Sequence, residues 1–357
     1  MPALDDTVYL NTGASGPTPA PVVEAAEECL EHHGFDAPGA EGMYPAAIET
    51  YGRAREAVAD LLGTSAENVA LTHSTTDGIN RVAAALDWTA EDSVVRTDVE
   101  HSAGILPWAN LHEREGIDIE VLDTEAGRLD PADVRAAAAD ARLVCFSAVT
   151  WTHGTRNPVS DIVDAAHEED AFVLVDAVQA PGQMPVDVES WGADFVAGAG
   201  HKWLLAPFGA GFLYVSPDVS GVDPAHVGYR SVTDPNADPP AFHPNAGRFE
   251  VGTASPAPYA GLATAIETVQ SVGIDRIERR IASLTDRFVG GLGTERLVSP
   301  PDAASGLVAF EASDPGALVD RLQAEDIVVR SLPTGAVRAS IHAFNTESDV
   351  DALLNSL

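Results

Sequence analysis

The reactive chemistry of this chain starts from a single lysine. The sequence holds 20 basic residues, and the only one that is not arginine is Lys202, in Ala199-Gly-His-Lys-Trp203. Lysine is normally among the commonest residues of a soluble protein. A guanidinium stays charged at any pH a protein meets, whereas an ammonium can lose its proton and become a nucleophilic amine. Arginine can replace lysine in a surface ion pair but cannot form a Schiff base. Lys202 is therefore a candidate covalent anchor for a carbonyl cofactor. A structural lysine kept by chance is the alternative.

Other residue types stand where such chemistry would need them. Phe172-Val-Leu-Val-Asp176 reads as a buried strand ending in an acid, and ligands of open α/β sheets sit beyond the carboxyl ends of strands. A carboxylate there can hold a pyridine nitrogen protonated and so make the ring an electron sink. Asp176 could equally cap the next helix. Gln179, three residues on, could reach a ring oxygen. Ser74-Thr75-Thr76-Asp77-Gly78 opens a helix after a strand, which suits a phosphate or an ordinary N-cap. His101 could stack on a planar group, or be a satisfied structural histidine. Arg338 lies in the apolar strand Ala336-Val-Arg-Ala-Ser340. It could clamp a carboxylate or join an internal salt bridge. Gly198-Ala-Gly200 lacks the third glycine and the following helix of a dinucleotide fingerprint. No histidines have metalloprotease spacing, and no metal is expected.

The elements that must position these residues alternate. Strands are expected at 68–72, 93–97, 117–122, 143–149, 172–176, 195–199 and 211–215. Helices are expected between most of them, at 77–86, 104–114, 131–139 and 159–168. Such alternation predicts a mostly parallel sheet covered on both faces. The stretch 231–247 reads as a loop. Helices follow at 259–272 and 275–292, then a short run of strands and helices to the end. The expected domains are an N-terminal segment 1–18 joining the small domain, a large domain 19–260 and a small C-terminal domain 261–357.

Composition narrows the function. The formal net charge is −35, from 55 acidic and 20 basic residues. A chain so acidic repels nucleic acid and anionic membranes. Its dispersed acid, scarce lysine and mean hydropathy of zero suggest a cytosol of molar salt, where the Debye length is about 3 Å. Only Cys29 and Cys145 occur, in no metal or disulfide pattern, and a reducing cytoplasm fits. No signal peptide or membrane-spanning run is read.

Taken in order, these motifs resemble the class V aminotransferase family of fold-type I pyridoxal-phosphate (PLP) enzymes. The similar branch holds cysteine desulfurases, selenocysteine lyases, cystine lyases and isopenicillin N epimerases. Tyr9-Leu-Asn-Thr-Gly-Ala-Ser-Gly16 resembles the opening strand and turn, with Asn11 near substrate. Thr72–Asn80 resembles the phosphate motif and Glu100–Trp108 the ring-stacking motif. Val173–Ala180 and Gly200–Trp203 resemble the pyridine and Schiff-base motifs. Arg248–Thr253 resembles the segment that reaches the partner subunit's phosphate, and Val337–Thr346 the carboxylate-binding strand.

The resemblance implies an α/β fold with a large, mostly parallel seven-stranded sheet and a small C-terminal α/β domain. It implies a homodimer with composite sites. Lys202 would carry PLP and move protons, Asp176 would face the pyridine nitrogen and His101 the ring. Thr75, Thr76, His201 and the partner's copy of Thr253 would hold phosphate. Arg338, with Arg330, would bind the substrate carboxylate.

Two departures bear on the reaction. The stretch Arg330–Arg338, where desulfurases keep a nucleophilic cysteine, is short and has none. Trp151 stands where desulfurases tend to have asparagine, as in the cystine-lyase-like members. The expected activity is carbon–sulfur lysis by α,β-elimination, with aminotransferase or epimerase as the alternative. A non-catalytic binding protein is a remoter one.

Overall fold

The computed structural model describes residues 1–302 and 304–357. The chain opens with β1 (Val8–Tyr9), α1 (Ala20–Glu31) and α2 (Met43–Leu62). Helix α2 stops at Gly63, whose φ of +71° is the left-handed turn that glycine supplies at a helix end. The alternating region follows: β2 (Val69–Thr72), α3 (Thr75–Ala85), β3 (Ser93–Thr97), α4 (Leu106–Glu115), β4 (Asp118–Leu122), α5 (Pro131–Ala138), β5 (Leu143–Ser147), α6 (Val159–His167), β6 (Phe172–Asp176), α7 (Val188–Trp191), β7 (Phe195–Ala199) and β8 (Gly211–Val215).

These strands form one seven-stranded sheet in the order β2-β8-β7-β6-β5-β3-β4. All neighbours are parallel except those of β8, which runs against both β2 and β7. Side chains alternate across the sheet. Val144, Phe146, Val173, Val175 and Val196 join one buried cluster with residues of α2. Leu143, Cys145, Leu174, Phe195 and Ala197 join another with residues of α3 and α4. Both faces are thus covered, as crossover helices on a parallel sheet require.

Two helix starts differ from expectation by two residues where caps or short turns intervene. Ser74 Oγ accepts from the Asp77 N–H at 3.1 Å, so α3 begins at Thr75 rather than at Asp77. A short 3-10 turn over Ser102–Gly104 delays α4 to Leu106.

The loop after β8 leads into α8 (Ala257–Val272) and α9 (Ile274–Leu292). Helix α9 shows Ile277, Ile281, Leu284, Phe288 and Leu292 on one face. The first two join the cluster on α2 and the last three a separate C-terminal cluster. The elements after α9 are β9 (Leu307–Glu311), α10 (Pro315–Ala324), β10 (Ile327–Val328), β11 (Arg330–Ser331), β12 (Ala336–Ser340) and α11 (Glu347–Asn355), and all but the exposed β11 contribute to that cluster. The sheet order is β11-β12-β9, antiparallel. Strand β1 pairs in parallel with β10, and Asn11 bridges to Ser340. The first residues of the chain therefore complete its last strands.

Among the described residues, no helix is long and apolar enough to cross a membrane. Nor do any His, Cys, Asp or Glu group into a metal site.

Candidate active site

Asp176 ends β6, and its register partner on β7 is Ala197. Lys202 follows the end of β7. Adjacent parallel strands thus deliver an acid and an amine to the same sheet edge. The Lys202 segment is pinned from outside: the Gly16 N–H donates to the His201 carbonyl at 2.8 Å. A Cβ at position 16 would collide with the Lys202 carbonyl, so only glycine permits this approach.

A cavity of about 170 Å³ opens between these groups. The structure brings Lys202, His201, Asp176, Gln179, His101, Thr75, Thr76, Trp151 and Arg330 to its walls. Lys202 stays partly open to this space, yet the packing around its ammonium pushes the pKa down to about 8. Asp176 opposes that shift, while Arg338 and Arg330 add to it. Burial pushes the Asp176 carboxyl up, against the Val178 N–H that Oδ1 accepts at 2.9 Å and the charge of Lys202. The capping role weighed for Asp176 is thus limited to one turn bond. Its buried carboxylate otherwise faces the amine.

His101 is pushed down to about 4, first by burial and then by Lys202, Arg330 and Arg338. It is a neutral ring, as a stacking surface needs. It meets Trp151 edge-on at 5.3 Å. His201 is likewise held down to about 4 by burial and by Lys202, and Phe208 stacks on it at 4.8 Å. Thr75 Oγ1 is buried and has no hydrogen-bond partner among the described residues.

Gln179 is more tied than its sequence position implies. Its Oε1 accepts from Trp203 Nε1 at 2.7 Å, and its Nε2 donates to the Gly13 carbonyl at 3.0 Å. It braces the N-terminal turn against the lysine segment as well as bordering the cavity.

Arg338, Asn11 and Thr253 do not border this cavity. Arg338 is fully buried and forms no salt bridge among the described residues. The internal ion pair that its position allowed is therefore not made. Nη1 donates to the Trp151 carbonyl at 2.7 Å, while Nε and Nη2 have no partner. Burial, reinforced by Arg330, pushes its pKa down to about 9. Gly13 covers it so closely that an added Cβ would lie 3.0 Å from Nη2. Asn11 Oδ1, Ser340 Oγ and Trp151 Nε1 are also buried and unpartnered. Arg330 faces Arg338 across the β11–β12 ladder, and its guanidinium lies over the Trp151 ring at 5.9 Å.

Thr253 is exposed and lines a larger cavity of about 540 Å³, with Tyr44, Ile48, Tyr51 and Tyr229. That space holds no lysine, and its buried acid, Glu250, is already paired with Arg55 and Arg230. The lysine and the acid beside it line the smaller cavity. Ser74 and Gly13 also line the cavity; both stand in motifs legible in the sequence, but neither is singled out there as a site residue. Glu100 is visible only as the neighbour of His101.

The family described as Aminotransferase class-V matches residues 8–353. A probable cysteine desulfurase of Methanothermobacter thermautotrophicus is 34% identical, over all of this chain and 95% of its own. The isopenicillin N epimerase of Streptomyces clavuligerus is 29% identical, over 99% of this chain and 95% of its own. Among solved structures, the cystine C-S lyase C-DES in complex with its reaction product cysteine persulfide superposes with a TM-score of 0.93. It is 26% identical, with 99% of this chain and 98% of that one covered.

Proposed function

The chain belongs to the class V aminotransferase family and is a pyridoxal-phosphate enzyme; on that premise we propose that it is a carbon–sulfur lyase acting on a small sulfur amino acid. The residues present suit the cofactor. Thr75, with its buried unpartnered hydroxyl, opens α3, and a helix N-terminus favours phosphate. Thr76 and His201 stand beside it, and the partner subunit's Thr253 completes the phosphate site. Asp176 would meet the pyridine nitrogen, His101 the ring and Lys202 the aldehyde. When bound, PLP supplies a sink for the electron pair released at the substrate α-carbon.

The chain's own groups do the rest. Lys202, held near a pKa of about 8, takes the α proton and returns one later. Arg338 lies behind the Gly13 turn that lines the cavity; its two free donors would hold the α-carboxylate once that turn gives way, and Arg330 adds charge from the cavity wall. As the Cβ–S bond breaks, a Cα=Cβ double bond forms and the sulfur leaves as a thiolate that takes the proton from Lys202; hydrolysis of the released enamine gives pyruvate and ammonia, without a protein nucleophile.

The absence of a thiol at the cavity carries this reading. Neither cysteine borders it. Cys145 is buried within β5, where burial pushes its thiol well above the ordinary range. Cys29 lies on α1 against Thr50. The stretch between the two arginines is a tight hairpin, closed by Gly335 N–H to Leu332 O at 3.0 Å, with no cysteine. Persulfide transfer needs a thiolate beside the substrate sulfur. The experiment is to assay pyruvate from cystine and S-substituted cysteines with the wild type and with Cys29→Ser/Cys145→Ser. Both should release it. Loss of activity in the double variant, with fold and PLP retained, would restore a desulfurase. The resemblance to an epimerase keeps racemisation, like transamination, as the second reading. Conversion of a 2-oxo acid with no pyruvate from any sulfur substrate would favour transamination, and inversion at the α-carbon would favour epimerisation.

A homodimer is part of the same proposal. Phe35, Tyr44, Ile48 and Phe208 are each at least 60% exposed, and large apolar side chains left in solvent suit a partner surface. A PLP-loaded monomer active at assay concentration would refute it. The dispersed acid is read as adaptation to molar salt: among the described residues only Glu100, Asp176 and Glu250 of the acidic side chains are buried.

A further inference from the structure

Those three buried acids are not held alike. Glu250 is neutralised by Arg55 and Arg230, and Asp176 faces Lys202. Glu100 has no cation paired with it among the described residues, and burial lifts its carboxyl to about 7. A buried carboxylate without a counter-charge is costly unless hydrogen bonds satisfy it. Its oxygens accept three. Thr97 Oγ1 donates to Oε1 at 2.6 Å, the Ser147 N–H to Oε1 at 3.1 Å, and Ser147 Oγ to Oε2 at 2.6 Å.

These donors have a definite place. Thr97 ends β3 and Ser147 ends β5, and the register partner of Ser147 on β6 is Asp176. Glu100 thus ties the segment leaving β3 to the strand beside Asp176. The next residue is His101, whose Nδ1 accepts from the Ala103 N–H at 3.2 Å and starts the 3-10 turn. The turn closes over the latch: a Cβ at Gly104 would lie 3.5 Å from Glu100 Oε2.

We propose that Glu100 is a positioning residue that latches the His101 turn to the end of β5. One buried side chain then sets the imidazole relative to Asp176. Glu100 touches neither cofactor nor substrate and acts through His101. The proposal rests on the reading of His101 as the residue that faces the PLP ring.

The test uses Glu100→Ala, Glu100→Gln and His101→Ala. Two readouts do not depend on turnover: the Kd for PLP of the apoprotein, and the visible circular dichroism of the bound cofactor. Glutamine keeps an acceptor for Thr97 and for the Ser147 N–H, and its amide can donate to a rotated Ser147 hydroxyl. Glu100→Gln is therefore expected to bind PLP within about threefold of the wild type, with its dichroism kept. Glu100→Ala is expected to bind about tenfold or more weakly and to lose most of the dichroism, as His101→Ala does. If Glu100→Ala keeps the signal while His101→Ala loses it, the latch is wrong and the reading of His101 stands. If neither changes, the reading of His101 falls and the latch with it. Glu100→Gln as impaired as Glu100→Ala also overturns the latch, because charge rather than hydrogen bonding would then be the cause. Should Glu100→Ala fail to fold, Thr97→Val/Ser147→Ala removes two donors and is expected to reduce the dichroism. A wild-type spectrum from it refutes the proposal.

Discussion

Among the described residues two arginines are buried, and neither forms a salt bridge. Arg248, in the short helical turn before α8, spends its guanidinium on main-chain carbonyls. Nε donates to Val222 O at 3.1 Å, Nη1 to Asn245 O at 3.0 Å and Nη2 to Val219 O at 3.5 Å. Arg338, in the middle of β12, has one such carbonyl, that of Trp151, and two idle nitrogens. The first is finished by its own fold. The second has hydrogen-bonding capacity left over, in a place where unsatisfied charge is expensive. Burial alone therefore does not separate a structural arginine from a binding one; the unused donors do.

Removing each in turn should break the two apart. Arg338→Ala is expected to lower kcat/KM by about 10²–10³-fold, the usual loss when one partner of a buried charged pair is deleted. Its unfolding midpoint should change little or rise, since an uncompensated charge is gone. Arg248→Ala should do the reverse. Three carbonyls lose their donor, and stability should fall by about 3 kcal/mol, with kcat/KM per folded molecule unchanged. If both variants lose stability and keep KM, the contrast is wrong.

A smaller effect sharpens the contrast through Lys202, whose pKa of about 8 is held down in part by Arg338 and not by Arg248. The neutral amine is the nucleophile. PLP capture by the apoprotein should therefore speed up as pH rises, with a midpoint near 8. Arg338→Ala should move the midpoint to higher pH, and Arg248→Ala should leave it in place. Stopped-flow absorbance across pH 6–10, in about 0.5-unit steps, measures both. The sign for stability follows from the same depression. The Lys202 contribution is present above the pKa of the unfolded lysine and is lost as pH falls through about 8.

The smallest expected effect separates both buried arginines from the surface. With a net charge of −35, repulsion lengthens to about 30 Å in 0.01 M salt. Unfolding midpoints should rise with added potassium chloride, by the same amount in both arginine variants. A flat or falling series removes the reading of salt adaptation.

Much of this was legible in the residues. Each strand of the large sheet is a short apolar run between helix signals, so β6 and β7 could be drawn before their contacts were known. Once those strands are parallel neighbours, Asp176 and Lys202 must share an edge. Nothing in Ala336-Val-Arg-Ala-Ser340 tells which donors of Arg338 are used, because the Trp151 carbonyl and Gly13 arrive from distant parts of the chain. Gln179 is similar: its two braces depend on Trp203 and Gly13, which no local spacing relates to it. Glu100 heads the His101 motif, yet its latching role is illegible there for a simpler reason. A glutamate in an acidic chain is unremarked until it is found buried.

The pairing of β1 with β10, and of Asn11 with Ser340, also fixes an order of events in time. The strands of the large sheet are complete by Val215, so a growing chain can align Asp176 and Lys202 while its C-terminal part is still being synthesised. The turn that covers Arg338 has no strand to lean on until β10 and β12 emerge. Such distant pairings are the slowest to form. The surroundings of Arg338 therefore depend on the last strands to emerge, and a chain truncated before β10 would have the edge that carries the amine but not the strand that carries Arg338.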